Sequence, residues 1–334
     1  MIAYELRKIP NIAVGSAVCA RCVACSFDGP LTEISVPGAP GTTRHYYAYL
    51  FCPECGTISL SQSLDGMESF YPDTYYSFSR NNLSRTRQMF PNLGTRIALF
   101  DRTALAPISA RLCPATAFLS LRPLFNGSLG RKYSAENAFL DVGCGNGSKL
   151  LGLSEIGFSN LTGIDPYILN SSPVPGLRLL RGVIDDISGS FDVVTFHHSF
   201  EHIATPEETL TSLQRIVRPG GVAVIRIPVI GGWAWRTFGG DWAQLDAPRH
   251  LHLFSRSGFE ALANRMGWRV AQTIFDSGRM QFAGSVLNEK GVGQPLLATQ
   301  KALTSKQRRN LDEKARNLNR VGDGDQATFF LLQS

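Results

Sequence analysis

Phe139-Leu140-Asp141-Val142-Gly143-Cys144-Gly145-Asn146-Gly147 is the stretch that decides the fold. Four apolar residues and one acid make a short strand, Ala138–Val142, and the glycines force a tight turn into the helical stretch Ser148–Ile156. A glycine-rich turn between strand and helix lets the backbone approach a ligand closely at the carboxyl edge of a parallel sheet. Twenty-four residues after Asp141, Asp165 ends the next strand in Gly163-Ile164-Asp165. A carboxylate there is placed to accept hydrogen bonds from both hydroxyls of a ribose.

Outward from this turn the chain alternates strands and helices, the pattern of a parallel sheet with crossover helices. Strands are predicted over Leu161–Ile164, Leu177–Arg181 and Phe191–Phe196, the last mostly apolar, as a strand covered on both faces should be. Pro206–Val217 is predicted as helix, Arg218-Pro219-Gly220-Gly221 as a turn, and Val222–Ile227 as a central strand. A helix over Ser257–Met266 and strands over Arg269–Phe275 and Ala327–Leu332 follow. Upstream, residues 80–134 are rich in Arg, Leu and Ala and read as connecting helices. Residues 1 to about 75 hold short strand-like runs, Arg44–Phe51 and Gly56–Leu60, and close on the aromatic cluster Phe70–Phe78. The expected division is 1–75, 76–134 and 135–334.

Of the 334 residues, 43% are hydrophobic and 18% charged, which excludes a disordered or fibrous chain. No uncharged apolar run approaches the ~18–20 residues of a membrane-spanning helix. Arg7-Lys8 ahead of Ile12–Ala20 imitates a secretion signal, but Glu5 and Pro10-Asn11 interrupt it, so a cytoplasmic protein is expected. The net charge of +6 is a mild excess. Its densest part, seven basic residues in Lys301–Arg320 against Asp312 and Glu313, reads as a solvated helix face.

Five of the seven cysteines lie in the first 55 residues. Cys22-Val-Ala-Cys25 and Cys52-Pro-Glu-Cys55 are two C-x-x-C knuckles, and four thiolates in a tetrahedron are what a closed structural zinc site takes. Cys19 would then be a spare thiol or an alternative to Cys25. Cys19, Cys22 and Cys25 lack the fourth thiol of a ferredoxin run. Cys113 and Cys144 stand alone and read as small buried hydrophobes.

The dinucleotide-binding fingerprint shares the strand-turn-helix outline. Here, however, the sixth position is Ser148, and Asp141 lies two residues before the first glycine. A buried acid beside the turn suits a cationic ligand better than a pyrophosphate. Asp141 through Gly147 resembles the first motif of class I S-adenosylmethionine-dependent methyltransferases. The resemblance continues through Asp165, Phe191-Asp192-Val193-Val194, His198-Ser199-Phe200-Glu201-His202 and Arg218–Gly221, and covers about residues 135–334. The cysteine knuckles, Tyr71–Tyr76 and Asp246–Ser255 are further similar to bacterial methyltransferases with a zinc ribbon, associated with sugar-nucleotide, polysaccharide or natural-product chemistry.

The resemblance implies an α/β fold: a Rossmann-like class I methyltransferase sheet with helices on both faces, behind a small N-terminal zinc ribbon. It implies that Asp141 and the turn of Gly143, Cys144, Gly145 and Gly147 hold the amino-acid part of S-adenosylmethionine. Asp165 would hold the ribose, Ile184 or Asp185 would flank the adenine, and His197 and His198 would line the floor where the methyl group is handed over. Five of the six histidines fall between 197 and 252. Glu201 and His202 open the following helix and would organise the loop, with His202 also a catalytic candidate. His250 and His252 lie near Trp233, Trp235 and Trp242, a candidate pocket wall. Sugar-nucleotide C-methyltransferases place a Tyr-His-Glu-His run where this chain has Ala247-Pro248-Arg249-His250. Only His250 matches, which keeps it as the base candidate and weakens the case for C-methylation.

The expected function is methyl transfer to a small-molecule acceptor, a saccharide or sugar-nucleotide hydroxyl, by in-line displacement with a histidine base. The alternative is a nucleic-acid- or ribosome-directed enzyme docking through the ribbon and the basic stretch. Against it, His197-His198-Ser199-Phe200 stands where base-amine methylases carry Asp/Asn-Pro-Pro-Tyr/Phe.

Overall fold

The computed structural model describes residues 5–38, 45–61, 70, 99, 120–291 and 303–334. The aromatic run 71–78 and Cys113 lie outside the described residues. The chain divides into two compact units that do not follow chain order. One comprises Met1–Phe70, Phe200–Leu210 and Arg226–Thr328; the other comprises Tyr71–Ser199, Thr211–Ile225 and Phe329–Ser334. Among the described residues no helix is long and apolar enough to cross a membrane.

The second unit is built on a mainly parallel sheet. Strand β5 (Phe139–Val142) lies between β6 (Leu161–Asp165) and β9 (Phe191–His197) and is parallel to both. Strand β8 (Leu177–Arg181) continues the parallel run beyond β6, and β7 (Ser171–Val174) closes that edge antiparallel to β8. On the other side come β10 (Val217–Pro228) and β13 (Gln326–Gln333), so the order is β13-β10-β9-β5-β6-β8-β7. All four residues of β5 are buried, which is why the strand shows no polar alternation. Its first residue, Phe139, packs edge-to-face on Phe158, which meets Phe125 of helix α1 (Arg122–Asn126) in the same way, at 5.2 and 5.6 Å between centroids. Helix α2 (Ser148–Glu155) leaves the glycine turn, and α3 (Pro206–Ile216) precedes β10.

Arg218–Gly221, expected as a turn, instead belongs to β10. Contacts distant in sequence hold it there. Arg131 and Tyr133 both donate to the Gly220 carbonyl, at 2.9 and 3.1 Å, and Arg218 donates to Asp192 at 2.8 Å.

The first unit carries an antiparallel sheet in the order β1-β2-β3-β4-β11. Its strands are β1 (Ala13–Arg21), β2 (Asp28–Pro37), β3 (Tyr46–Phe51), β4 (Ile58–Leu60) and β11 (His252–Leu253). The segment that imitates a secretion signal is thus largely strand β1, paired with β2. Ile34, Val36, Tyr49 and Ile58 from this sheet join Trp235, Trp242, Leu253 and Phe282 in one buried cluster. Trp235 belongs to α4 (Trp233–Phe238) and Phe282 to α6 (Arg279–Glu289). The remaining helices are α5 (Arg256–Arg265), followed by β12 (Trp268–Phe275), and α7 (Ser305–Arg320). The basic stretch forms α7, where Ala315 is the buried residue and Thr304 caps the first turn, so the solvated-face expectation holds.

Candidate functional site

In the second unit, β5 carries Asp141 into the interior, where it is 3% exposed. Parallel pairing sets Thr195 of β9 opposite it, and the Thr195 hydroxyl donates to Asp141 Oδ1 at 2.7 Å. Burial pushes the Asp141 carboxyl above its ordinary range. Lys149 and the Thr195 bond pull it back, and Asp165 adds to the rise. Gly143, Gly145 and Gly147 all have positive φ. At Gly143 a Cβ would stand 2.4 Å from that of Ser199, and at Gly147 one would stand 2.7 Å from the Leu179 methyls. A side chain at Gly143 would drive into Ser199, and one at Gly147 would have to displace the Leu179 side chain as well as adopt a strained positive φ. Asp165, ending β6, accepts from the Gly145 and Tyr167 amides at 2.9 Å each, which fixes its carboxylate plane against the turn.

Cys144 follows Gly143 and is half-buried, short of the full burial expected of it; desolvation, with Asp141 and Asp165 nearby, pushes its thiol up. Ile184–Asp186 form a 3-10 turn in which Ile184 is buried. Asp185 is exposed and accepts from the Ser212 hydroxyl at 2.5 Å. His197 ends β9 with its carbonyl 3.4 Å from Lys149 Nζ, and His198 follows at φ 55°, the two rings 5.1 Å apart. Sequence reasoning missed Thr195 and Ser199. Thr195 gave no local signal, since Asp192 and His197 also interrupt the apolar run of that strand.

This cradle fits the amino-acid and ribose ends of S-adenosylmethionine. A buried carboxylate pushed toward protonation favours an ammonium ligand, and a turn with no room for a Cβ admits a ligand against its backbone. A pH dependence follows. Protonation removes the charge, so S-adenosylmethionine affinity is expected to fall as pH drops through the raised Asp141 pKa. Over that same window the ligand-free folded state holds a proton that the unfolded chain has lost, so its stability should rise as pH falls. Asp141→Asn should bind weakly at every pH and flatten both profiles in calorimetry and thermal melts.

The remaining histidines gather in the first unit. Phe200–His202 is a separate 3-10 turn ahead of α3, not the opening of that helix. His202 Nδ1 is 2.8 Å from the Arg249 carbonyl, and His250 Nδ1 is 2.8 Å from the Gln244 carbonyl. A carbonyl only accepts, so both Nδ1 atoms carry a hydrogen, and it is the Nε2 atom of each ring that is left to meet a ligand. His250 Nε2 lies 3.9 Å from Glu201 Oε1 and 3.8 Å from Asp246 Oδ2, and the two imidazole rings are 4.8 Å apart. Arg249 pairs with Asp246.

The loop holding His250 is tied into the cysteine-bearing sheet. Tyr49 donates its hydroxyl to the His250 carbonyl at 2.7 Å, and Leu60 donates its amide to the Leu251 carbonyl at 2.8 Å. His252 and Leu253 pair with Ser59 and Ile58 as β11, which corrects the loop-like reading. Burial lowers the His252 pKa to about 4, leaving it neutral. Two of the three tryptophans are core residues. Trp235 and Trp242 are buried in the core, Trp242 donating to Asp325 at 2.9 Å, and Lys314 lies 3.5 Å over the Trp233 ring.

Cys22, Cys25, Cys52 and Cys55 converge, with Cys22–Cys55 at 3.7 Å and Cys25–Cys52 at 3.6 Å between sulfurs. Zn–S bonds of about 2.3 Å at tetrahedral angles put sulfurs about 3.8 Å apart, so the four thiols fit that ion. Both knuckles are built alike. The Cys22 and Cys52 amides donate to Phe27 and Thr57, and the left-handed residue after each second cysteine is Ser26 in one and Gly56 in the other. The Cys22 thiol draws Cys55 down to about 5 and is itself pushed up by the same bond. Cys19 is exposed and stands outside the group.

Residues 108–273 match a family model described as a methyltransferase domain. The ubiquinone biosynthesis O-methyltransferase of Dechloromonas aromatica is 35% identical over 97 residues, covering 25% of this chain and 40% of that protein. EEF1A lysine methyltransferase 2 of Danio rerio is 33% identical over 112 residues, covering 28% and 48%. These alignments span less than half the length of either relative. Among solved structures, a mycolic acid cyclopropane synthase complexed with SAH is similar with a TM-score of 0.43 at 19% identity, covering 68% of this chain and 85% of that one.

Proposed function

We propose that this chain, which carries a class I S-adenosylmethionine-dependent methyltransferase domain, methylates a hydroxyl of a small-molecule acceptor of the saccharide or sugar-nucleotide class. The observation that carries the cofactor half is the pairing of buried Asp141 with Asp165, whose carboxylate accepts the Gly145 amide of the glycine turn. The similarity to O-methyltransferases supports a hydroxyl acceptor.

In this reading Asp141 and the turn of Gly143, Cys144, Gly145 and Gly147 hold the methionyl end, and Asp165 holds the ribose. Ile184 is the apolar flank for the adenine, since Asp185 is engaged with Ser212. His197 and His198 line the floor. S-adenosylmethionine supplies a methyl group already activated on a sulfonium, so the protein's part is alignment at near-attack distance and removal of the hydroxyl proton. His250, with its Nε2 lone pair and its ring held by the Gln244 carbonyl, is the base. The four cysteines hold a structural zinc ion that makes the N-terminal sheet a ribbon.

Calorimetry tests the cofactor assignment. Asp165→Ala should weaken S-adenosylmethionine binding by about 1–3 kcal/mol, the range for leaving a buried polar partner unpaired. Binding of NADH in place of S-adenosylmethionine would refute the reading.

A further inference from the structure

We propose that Glu201, His202 and His250 form a second metal site, distinct from the four cysteines, that takes a divalent transition-metal ion through two imidazole Nε2 atoms and one carboxylate. Among the described residues these three are a metal-competent group whose ligand atoms all lie within 4.8 Å of one another. Ligand atoms sharing one such ion sit about 3–4 Å apart, so the 3.9 Å between His250 Nε2 and Glu201 Oε1 is already at that spacing, and small side-chain rotations bring in His202.

A second observation is the hydrogen bonding behind the rings. Metal-ligating histidines characteristically donate the other ring N–H to a carbonyl or carboxylate, which fixes the tautomer and turns the lone pair to the ion. Both histidines do this, His202 to Arg249 and His250 to Gln244, at 2.8 Å each. Asp246, 3.8 Å from His250 Nε2 and paired with Arg249, adds negative charge beside the group without being needed as a ligand.

The backbone fixes the site as well. The Leu251 amide donates to the Glu201 carbonyl at 2.9 Å, and Tyr49 grips the His250 carbonyl. Two imidazoles and a carboxylate suit zinc, nickel, cobalt or ferrous iron, not calcium or magnesium, and three protein ligands leave positions open. The role rests on the proposed methyl transfer to a hydroxyl: an ion in an open site lowers the pKa of an oxygen bound to it, so the acceptor would lose its proton to water on binding the ion, and His250 would serve by holding the ion and not by taking the proton itself.

The test uses the full-length protein with the cysteine site filled with zinc, titrated with Co²⁺ and followed by visible absorption and metal analysis. About two metal equivalents are expected, the second giving weak bands with no sulfur charge transfer, since its ligands are N and O. Glu201→Gln and His202→Asn should each lower the total to about one equivalent while keeping the cysteine-bound zinc, which reports that the ribbon remains folded. Wild-type protein that binds nothing beyond the cysteine site, or variants that still bind the second ion, would overturn the proposal. If no second ion binds but His250→Ala still loses turnover, the metal falls and the direct histidine base stands.

Discussion

Cys52→Ser is expected to abolish turnover by a wider route than the loss of one zinc ion. Structural zinc in small modules contributes about 10–16 kcal/mol of binding free energy that is also folding free energy, so a three-cysteine site should neither hold the ion nor fold its surroundings. In this protein the surroundings include the catalytic candidate. The Cys52–Cys55 knuckle joins β3, which carries Tyr49 to the His250 carbonyl, to β4, which pairs with β11 just after His250. Ser255, the cap of α5, donates to the Cys55 carbonyl, and Gly258 packs so close to Thr57 that a Cβ would stand 2.1 Å from its hydroxyl. Losing the proposed zinc should therefore release the His250 loop and the start of α5 together. A variant without zinc should show about 10²-fold or greater loss of turnover, the scale of a lost general base. It should also show new proteolytic cleavage within residues 1–70. Asp141 and Asp165 belong to the other compact unit, so S-adenosylmethionine affinity should change far less. Zinc loss with parental turnover would show that the ribbon does not position His250.

The second large effect is expected at His250 itself. His250→Ala removes the Nε2 lone pair while leaving the backbone bonds from Tyr49 and to Asp246 available. If the imidazole handles the acceptor's proton, directly or through an ion, kcat should fall by about 10²-fold or more with cofactor affinity nearly unchanged, because the loss falls on the transition state. Single-turnover kinetics with a saccharide acceptor, beside calorimetry with S-adenosylmethionine, separate the two quantities. A parental kcat with a raised acceptor KM would demote His250 to a binding residue. His198, at the end of β9 with its backbone at positive φ, would be tested next.

The glycine-turn half of the site was legible because its chemistry is local. Asp141, Gly143, Gly145 and Gly147 sit on one strand and its turn, and Asp165 ends the following strand. The backbone needs of that turn, positive φ at all three positions and a Cβ clash at Gly143 and Gly147, favour glycine there. The cysteine knuckles were equally local, each a four-residue turn whose spacing declares two thiols. Thr195, by contrast, becomes a partner of Asp141 only once β9 lies beside β5 in register, and nothing in Phe191–His197 announces that neighbour.

From the sequence alone came the parallel α/β sheet, the glycine turn with its two acids and the paired cysteine knuckles, because period-two, glycine and cysteine-spacing signals act over a few residues, whereas His250 came only from the resemblance to a known family. Tertiary structure decided what those parts do to one another. It made His252–Leu253 the fifth strand of the cysteine-bearing sheet, buried Trp235 and Trp242 as core instead of pocket wall, and brought Glu201 and His202 to His250 across more than forty residues. Those outcomes depend on strand pairing and on the burial of apolar area shared by distant segments. Such terms are set by the whole fold and leave no periodic trace in any one stretch of chain.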